Sequence, residues 1–182
     1  VVWSQVQILS SRLKYLLNKE GLLIKWLSLH TPNFINMKTN RSQCPLVSVL
    51  DIVGDKWSLV IIRDLFLGKK TFTEFMKSPE KIASNILSNR LDLLINHGLL
   101  KVVKLPHDHK TKIYYLTTKG IDIYPVLYEM MFWSKRNLEN KFDSIGHKFF
   151  KDNQGVAPEV SIKNTQSLYI KYRDKVLSHI DS

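Results

Sequence analysis

The chain has a single cysteine, Cys44, in 182 residues. That scarcity excludes an intrachain disulfide and a cysteine-rich zinc site, and it fits a reducing compartment. Glycine (7) and proline (6) are sparse, so no Gly/Pro-rich low-complexity tract is present, and no internal repeat is visible. Apolar runs are short. None reaches the roughly 18–20 residues that a membrane span needs. Lys25 interrupts the longest candidate, which also lacks the small-residue cleavage site of a signal peptide. The chain therefore reads as cytoplasmic, without a membrane partner. Acidic residues are scarce too: 16 Asp/Glu against 27 Lys/Arg leave a formal charge of +11. Residues 37–136 hold most of that excess, with sixteen Lys/Arg against nine Asp/Glu. Such a balance favours a polyanionic partner, although basic surfaces are common among soluble proteins in general.

The residue sets that carry catalysis are missing as well. No nucleophilic Ser or Cys has a base at recognisable spacing, and no His/Cys cluster is present. His107-Asp-His109 offers two imidazoles in a turn with no third ligand nearby, so neither a metal nor a cofactor is expected. Gly68-Lys-Lys-Thr71 looks like the tail of a phosphate loop, but Arg63 stands where the leading glycine belongs. A helix stop followed by a cap is the better reading, and no enzyme is expected.

What is present is a compact order of elements. Pro45 suits the first turn of a helix running to Val53, with Gly54 ending it. Trp57, Val60, Ile61 and Leu65 recur at helical spacing across 56–66, and Gly68 closes that helix. Thr71-Phe-Thr-Glu74 has capping-box spacing, which predicts a short third helix. Ser78-Pro-Glu-Lys81 is a turn before a fourth helix at about 83–97, whose inward stripe is Ile82, Leu87, Leu91, Leu94 and Ile95. Alternation and β-branched residues predict strands at 99–105 and 112–116 around a turn at 106–111. One last core helix, capped by Thr117 or Thr118, is expected to run through Trp133. Residues 152–161 read as a linker, and a final amphipathic helix presents Tyr169, Tyr172, Val176 and Ile180 on one face.

This order is a helix-turn-helix followed by a wing, in an α+β, mostly helical fold. Three stretches are expected: an N-terminal leader or extension (1–43), a winged helix-turn-helix domain (44–137) and a C-terminal helical extension (138–182). Met37 is taken as the native start, with upstream sequence before it. The alternative is a genuine N-terminal helix, since Leu9, Leu13, Leu16 and Leu17 keep helical spacing.

A helix seated in the major groove reads base edges with side chains from its N-terminal half. On the fourth helix those are Ser84, Asn85, Ser88 and Asn89, with Arg90 beside them for phosphate. An isolated polar face of this kind equally serves as ordinary solvated surface; the strand-turn-strand that follows shifts the balance toward DNA. That wing carries Lys101, Lys104, His107, His109, Lys110 and Lys112, placed for phosphate contacts. The last core helix is apolar nearly all round, which requires burial on every side. A second copy of the chain would cover it, giving an interface of Leu46, Leu50, Tyr124, Leu127, Tyr128, Met131 and Trp133; burial beneath the C-terminal extension is the alternative. Cys44 precedes Pro45 at a helix N-terminus, where the helix dipole favours thiolate. It reads either as a site reactive toward oxidants and electrophiles or as an inert residue at the domain edge.

Cys44-Pro45, Gly54-Asp-Lys-Trp57, Ile62-Arg-Asp-Leu65, Gly68, Phe72-Thr-Glu-Phe75, Ile86-Leu87, Arg90-Leu91, Gly98-Leu99, Tyr115-Leu-Thr117, Gly120, Pro125 and Trp133 together resemble the HxlR-type winged helix-turn-helix regulators over 44–137. The resemblance implies a bacterial homodimer that binds double-stranded DNA at a palindromic operator and dimerises through its first and last core helices. It also implies that Cys44 matches a cysteine through which some members sense electrophiles or oxidants; it names no effector for this chain. Ala83 stands where the family often has a serine cap, and the wing tip 106–110 departs from the family pattern. A winged-helix module that binds a protein partner, without specific DNA binding, is the alternative function.

Overall fold

Three short helices stack first, and local chemistry fixes each of their ends. The computed structural model describes residues 43–105, 108, 110–138 and 141–180; the expectations placed on Met37, on the leader and on His107 and His109 lie outside them. Helix α1 (Pro45–Val53) begins with Pro45 in its first turn and ends at Gly54. Helix α2 (Ser58–Phe66) starts two residues later than its periodicity predicts, because Asp55 organises the entry. One Asp55 oxygen accepts the Trp57 and Ser58 amides at 2.8 and 3.1 Å, and the Ser58 hydroxyl donates to the other. Helix α3 (Phe72–Met76) carries the predicted capping box: Thr71 accepts the Glu74 amide, and Glu74 accepts the amides of Lys70 and Thr71.

Helix α4 (Ser84–Asn96) follows, with Ala83 at its N-cap and Gly98 just past its end at φ +71°. Gly98 supplies the left-handed turn there without a Cβ penalty. Leu87, Leu91 and Leu94 of the predicted inward stripe are fully buried, Ile82 nearly so, and Ile95 only partly. Strands β1 (Leu100–Lys104) and β2 (Lys112–Leu116) pair antiparallel, from Leu100 opposite Leu116 to Lys104 opposite Lys112. Thr71 adds a bridge to Ile113 on the outer edge of β2, and the Tyr114 amide donates to the Lys70 carbonyl at 2.7 Å.

The expected single helix after the hairpin is two. Helix α5 (Thr118–Ile121) is capped by Thr117, and helix α6 (Tyr124–Asn137) begins anew with Pro125 in its first turn. Proline lacks an amide hydrogen, and its ring would strike the carbonyl four residues back, so a helix interior is costly here and the chain breaks instead. Gly120 sits so close to β1 that a Cβ would overlap the Leu99 carbonyl oxygen.

Residues 138–180 correct two further expectations. Helix α7 (Ser144–Asp152) occupies a stretch with no predicted element, and its Phe149 and Phe150 pack with Tyr128, Phe132 and Phe142 at ring separations of 5.0–5.8 Å. The predicted linker is shorter than 152–161, because Pro158 opens helix α8 (Pro158–Ser178). A proline in a helix's first turn starts the helix; it does not interrupt it. Helix α8 folds back onto the winged helix: Tyr169 is buried, its ring 4.9 Å from Phe66. Phe149 of α7 and Ile162 and Tyr169 of α8 pack against the same hydrophobic core as the winged helix.

Candidate nucleic-acid interface

The outward face of α4 is set by what its inward face buries. With Leu87, Leu91 and Leu94 committed to the core, Ser84, Asn85, Ser88 and Asn89 are all exposed. They form a contiguous row of short donors and acceptors over the first two turns. Ala83 makes no side-chain cap, so the first amides of α4 meet no capping oxygen from that residue. Arg90 differs from its expected role. Its side chain is half-buried and turns back to Asp55, Nε to Oδ1 3.4 Å, tying α4 to the start of α2. Burial pushes the Asp55 carboxyl up, but Ser58, the two amides and Arg90 outweigh that and hold it below the ordinary aspartate value. The contact is an ion pair, and Nε makes no hydrogen bond.

A second network fixes the turn leading into α4. Asp64, buried on α2, accepts from Lys69 Nζ at 2.8 Å, from Arg63 Nη2 at 2.7 Å and from the Ser78 hydroxyl. Arg63 also reaches Glu80 at 2.6 Å, and Lys69 donates to Ser78 Oγ at 2.6 Å. Burial works to raise the Asp64 pKa; the donors from Lys69, Ser78 and Arg63 prevail and lower it. This cluster joins α2, the loop before α3 and the turn at 78–81, where Lys81 adopts a left-handed φ of +53°. Periodicity gave no sign of it, since Arg63 and Asp64 read as ordinary polar positions between apolar ones.

On the hairpin, Lys101, Lys104, Lys110 and Lys112 are exposed. Lys104 and Lys112 are direct cross-strand partners, a like-charge pairing that disfavours the hairpin by itself and suits an anion. At the tip, Asp108 accepts the Lys110 amide (3.1 Å), the Thr111 amide (3.3 Å) and the Thr111 hydroxyl (2.5 Å). The middle residue of the His-Asp-His run thus braces the turn. Among the described residues no group of His, Cys, Asp and Glu is arranged to hold a metal, and no helix is long and apolar enough to cross a membrane.

The predicted dimer residues divide. Leu46 and Leu50 on α1 and Trp133 on α6 are exposed at 64%, 47% and 54%. Tyr124, Leu127 and Tyr128 are instead buried within the chain, and Met131 packs partly against the same core. The physical reason is α7 and α8: Phe149 covers Tyr128, and Phe66, which touches Tyr124, is itself covered by Tyr169. What α6 leaves outside is Val126, Met130 and Trp133, spaced four and three apart on one face. Cys44 is exposed at the N-cap of α1.

Residues 52–142 match the family of HxlR-like helix-turn-helix proteins. The chain belongs to the HxlR family. It is 31% identical over 87 residues to the HTH-type transcriptional regulator sll1512 of Synechocystis, covering 48% of this chain and 64% of that relative. It is 30% identical over 99 residues to the HTH-type transcriptional regulator YodB of Bacillus subtilis, covering 54% of this chain and 88% of YodB. The solved structure of PA1607, described as a candidate transcription factor, superposes with a TM-score of 0.52 at 35% identity, over 58% of this chain and 72% of that one. The relatives matched are HTH-type transcriptional regulators. In this HxlR chain α3 and α4 are the helix-turn-helix and β1–β2 is the wing.

Proposed function

We propose that the chain is a sequence-specific DNA-binding transcriptional regulator that acts as a homodimer on a palindromic operator. Helix α4 enters the major groove, with Ser84, Asn85, Ser88 and Asn89 at base edges. Lys101, Lys104, Lys110 and Lys112, joined by His109 of the sequence between the strands, contact flanking phosphates and give affinity and register. The observation that carries this reading is the exposed Ser/Asn row beside a hairpin whose lysines face each other across its strands. The uncapped first amides of α4 add a favourable site for a phosphate oxygen.

The second copy is supported by apolar surface that this chain leaves uncovered. Leu46, Val49 and Leu50 on α1 and Val126, Met130 and Trp133 on α6 are 41–64% exposed. Beside α1 lies a groove of about 200 Å³ lined by Val49, Ile52, Val53, Leu99 and Ile123, with Lys119 and Asp122 completing its wall. A two-fold dimer sets its half-sites about one helical turn, 10–10.5 bp, or a multiple apart. Cys44, exposed where α1 begins, is proposed to respond to electrophiles or oxidants, with an intersubunit disulfide, a mixed disulfide or an adduct as the product.

Fluorescence anisotropy against DNA from the upstream region of its own gene, with random competitor at about 150 mM salt, tests the reading. Saturable binding that survives competitor supports it. Loss of all binding to competitor, or salt-insensitive binding, contradicts it and favours a protein-binding module. A Cys44→Ser variant that keeps the wild-type response to diamide removes the role of Cys44.

A further inference from the structure

The wing of this protein is fastened from outside the matched family region. A two-stranded hairpin is marginal alone, and its outer edge exposes backbone groups that need partners. On β2 the Leu116 side is closed by α8. The Leu116 amide donates to the Tyr169 hydroxyl at 2.9 Å, and the Leu116 carbonyl accepts from Arg173 Nη1 at 3.2 Å. Leu116 is fully buried, so water does not replace either partner. One turn along, the Tyr172 hydroxyl donates to the Gly68 carbonyl at 2.9 Å, in the loop that leads into α3. Gln166 donates to the Ile121 carbonyl at 3.1 Å, just after the hairpin. Four side chains of one helix thus reach backbone groups of the loop before the helix-turn-helix and of the segment that ends the wing. All four lie beyond residue 142, where the family match ends.

Resting on the DNA-binding reading above, we infer that Tyr169 and Arg173 are positioning residues for DNA recognition: by holding both backbone groups of Leu116, α8 sets the angle at which the hairpin presents its lysines to phosphate. Leu116 pairs with Leu100 at the base of the hairpin, and Lys104 and Lys112 pair at its far end. Thr71 and Lys70 hold the same edge of β2 at Ile113 and Tyr114, and Tyr169 and Arg173 complete that hold at the base, so the strand that carries Lys112 is fixed along its length. Phosphate binding depends on register, so a hairpin free to rock holds fewer phosphates than a fixed one. The arrangement needs both partners, because Tyr169 takes only the amide and Arg173 only the carbonyl.

The test compares DNA binding by the full-length wild type, Tyr169→Phe, Arg173→Met and a control, Phe149→Leu, which loosens the α6–α7 aromatic cluster without touching the hairpin. Dissociation constants are measured against upstream DNA at several salt concentrations, well below each variant's melting temperature. The expected result is weaker binding by Tyr169→Phe and Arg173→Met, with a salt slope lower by about 0.9 for each phosphate that is no longer neutralised, and an unchanged slope for Phe149→Leu. Arg173→Met, at a partly exposed side chain, keeps the test open if Tyr169→Phe does not fold. Wild-type affinity and slope in both hairpin variants overturn the inference and leave α8 a purely structural helix. An equal loss in the control overturns it too. A wild type that binds no DNA in the presence of competitor overturns the DNA-binding reading itself, which separates the two failures.

Discussion

Replacing Asp64 by Asn is expected to lower stability by about 3 kcal/mol and to spare the fold's outline. Breaking a buried pair by removing one partner costs about 3–5 kcal/mol, because charges are left without a counterion. Here that figure is reduced. The Arg63 and Lys69 side chains are 31% and 25% exposed, so water screens part of the repulsion left behind, and Arg63 keeps Glu80. Asparagine still offers an oxygen to Ser78, but its amide group points donors at cations. For a unit of this size 1 kcal/mol moves the melting temperature by about 3–4 °C, so a loss of about 10 °C is expected at pH 7. The pH dependence gives a second signature. The Asp64 pKa is lowered in the folded chain, so its stabilisation is present above the ordinary aspartate value of about 3.9 and is lost as pH falls through the lower folded value. The gap between wild type and Asp64→Asn should therefore narrow below about pH 4. Circular dichroism melts from pH 7 down to pH 3 measure both. A shift under about 3 °C at pH 7, or a gap that widens in acid, refutes the account of this network.

Three other substitutions follow from the same geometry. Lys112→Met removes one member of the Lys104/Lys112 cross-strand pair, so it should leave the melting temperature unchanged or slightly raised while lowering the salt slope of DNA binding by about 0.9. Gly120→Ala drives a methyl into the Leu99 carbonyl and should cost about 1–3 kcal/mol, read by urea denaturation. Leu50→Glu places a charge on the exposed apolar row of α1; if the proposed homodimer forms through that row, sedimentation velocity should show a dimer for the wild type and a monomer for the variant, with an unchanged far-ultraviolet spectrum.

Much of the fold was legible because its local signals agree. Pro45, the Thr71–Glu74 box and Gly98 each mark a helix end by local sterics and hydrogen bonding, while the β-branched valines of β1 marked a strand although its burial does not alternate. The α4 stripe was equally plain, and it fixes which side faces out. The misses have a common cause in contacts between residues distant in sequence. Apolar residues around α6 demanded cover, but periodicity does not say whose; Phe149 of α7 supplies it for Tyr128, and Phe66, itself against Tyr169 of α8, for Tyr124. Pro125 was visible as a residue, yet the weight of the apolar run hid its effect as a break. Arg90 read as a phosphate arm because its partner Asp55 lies 35 positions earlier. Asp64 is a similar case, since its partner Ser78 lies 14 positions on, beyond α3. Within the candidate interface, the sequence therefore pointed to the exposed groups well and to the groups that hold them poorly.

The central claim is that Asn85 and Asn89 on α4 read bases. It is tested most directly by titrating wild type, Asn85→Ala and Asn89→Ala against an operator and its full set of single base-pair variants. The account predicts that each alanine variant loses about 1–3 kcal/mol, concentrated at particular base pairs in each half-site, where it also stops discriminating. A uniform loss at every position, or none, would contradict it and remove α4 as the reading helix.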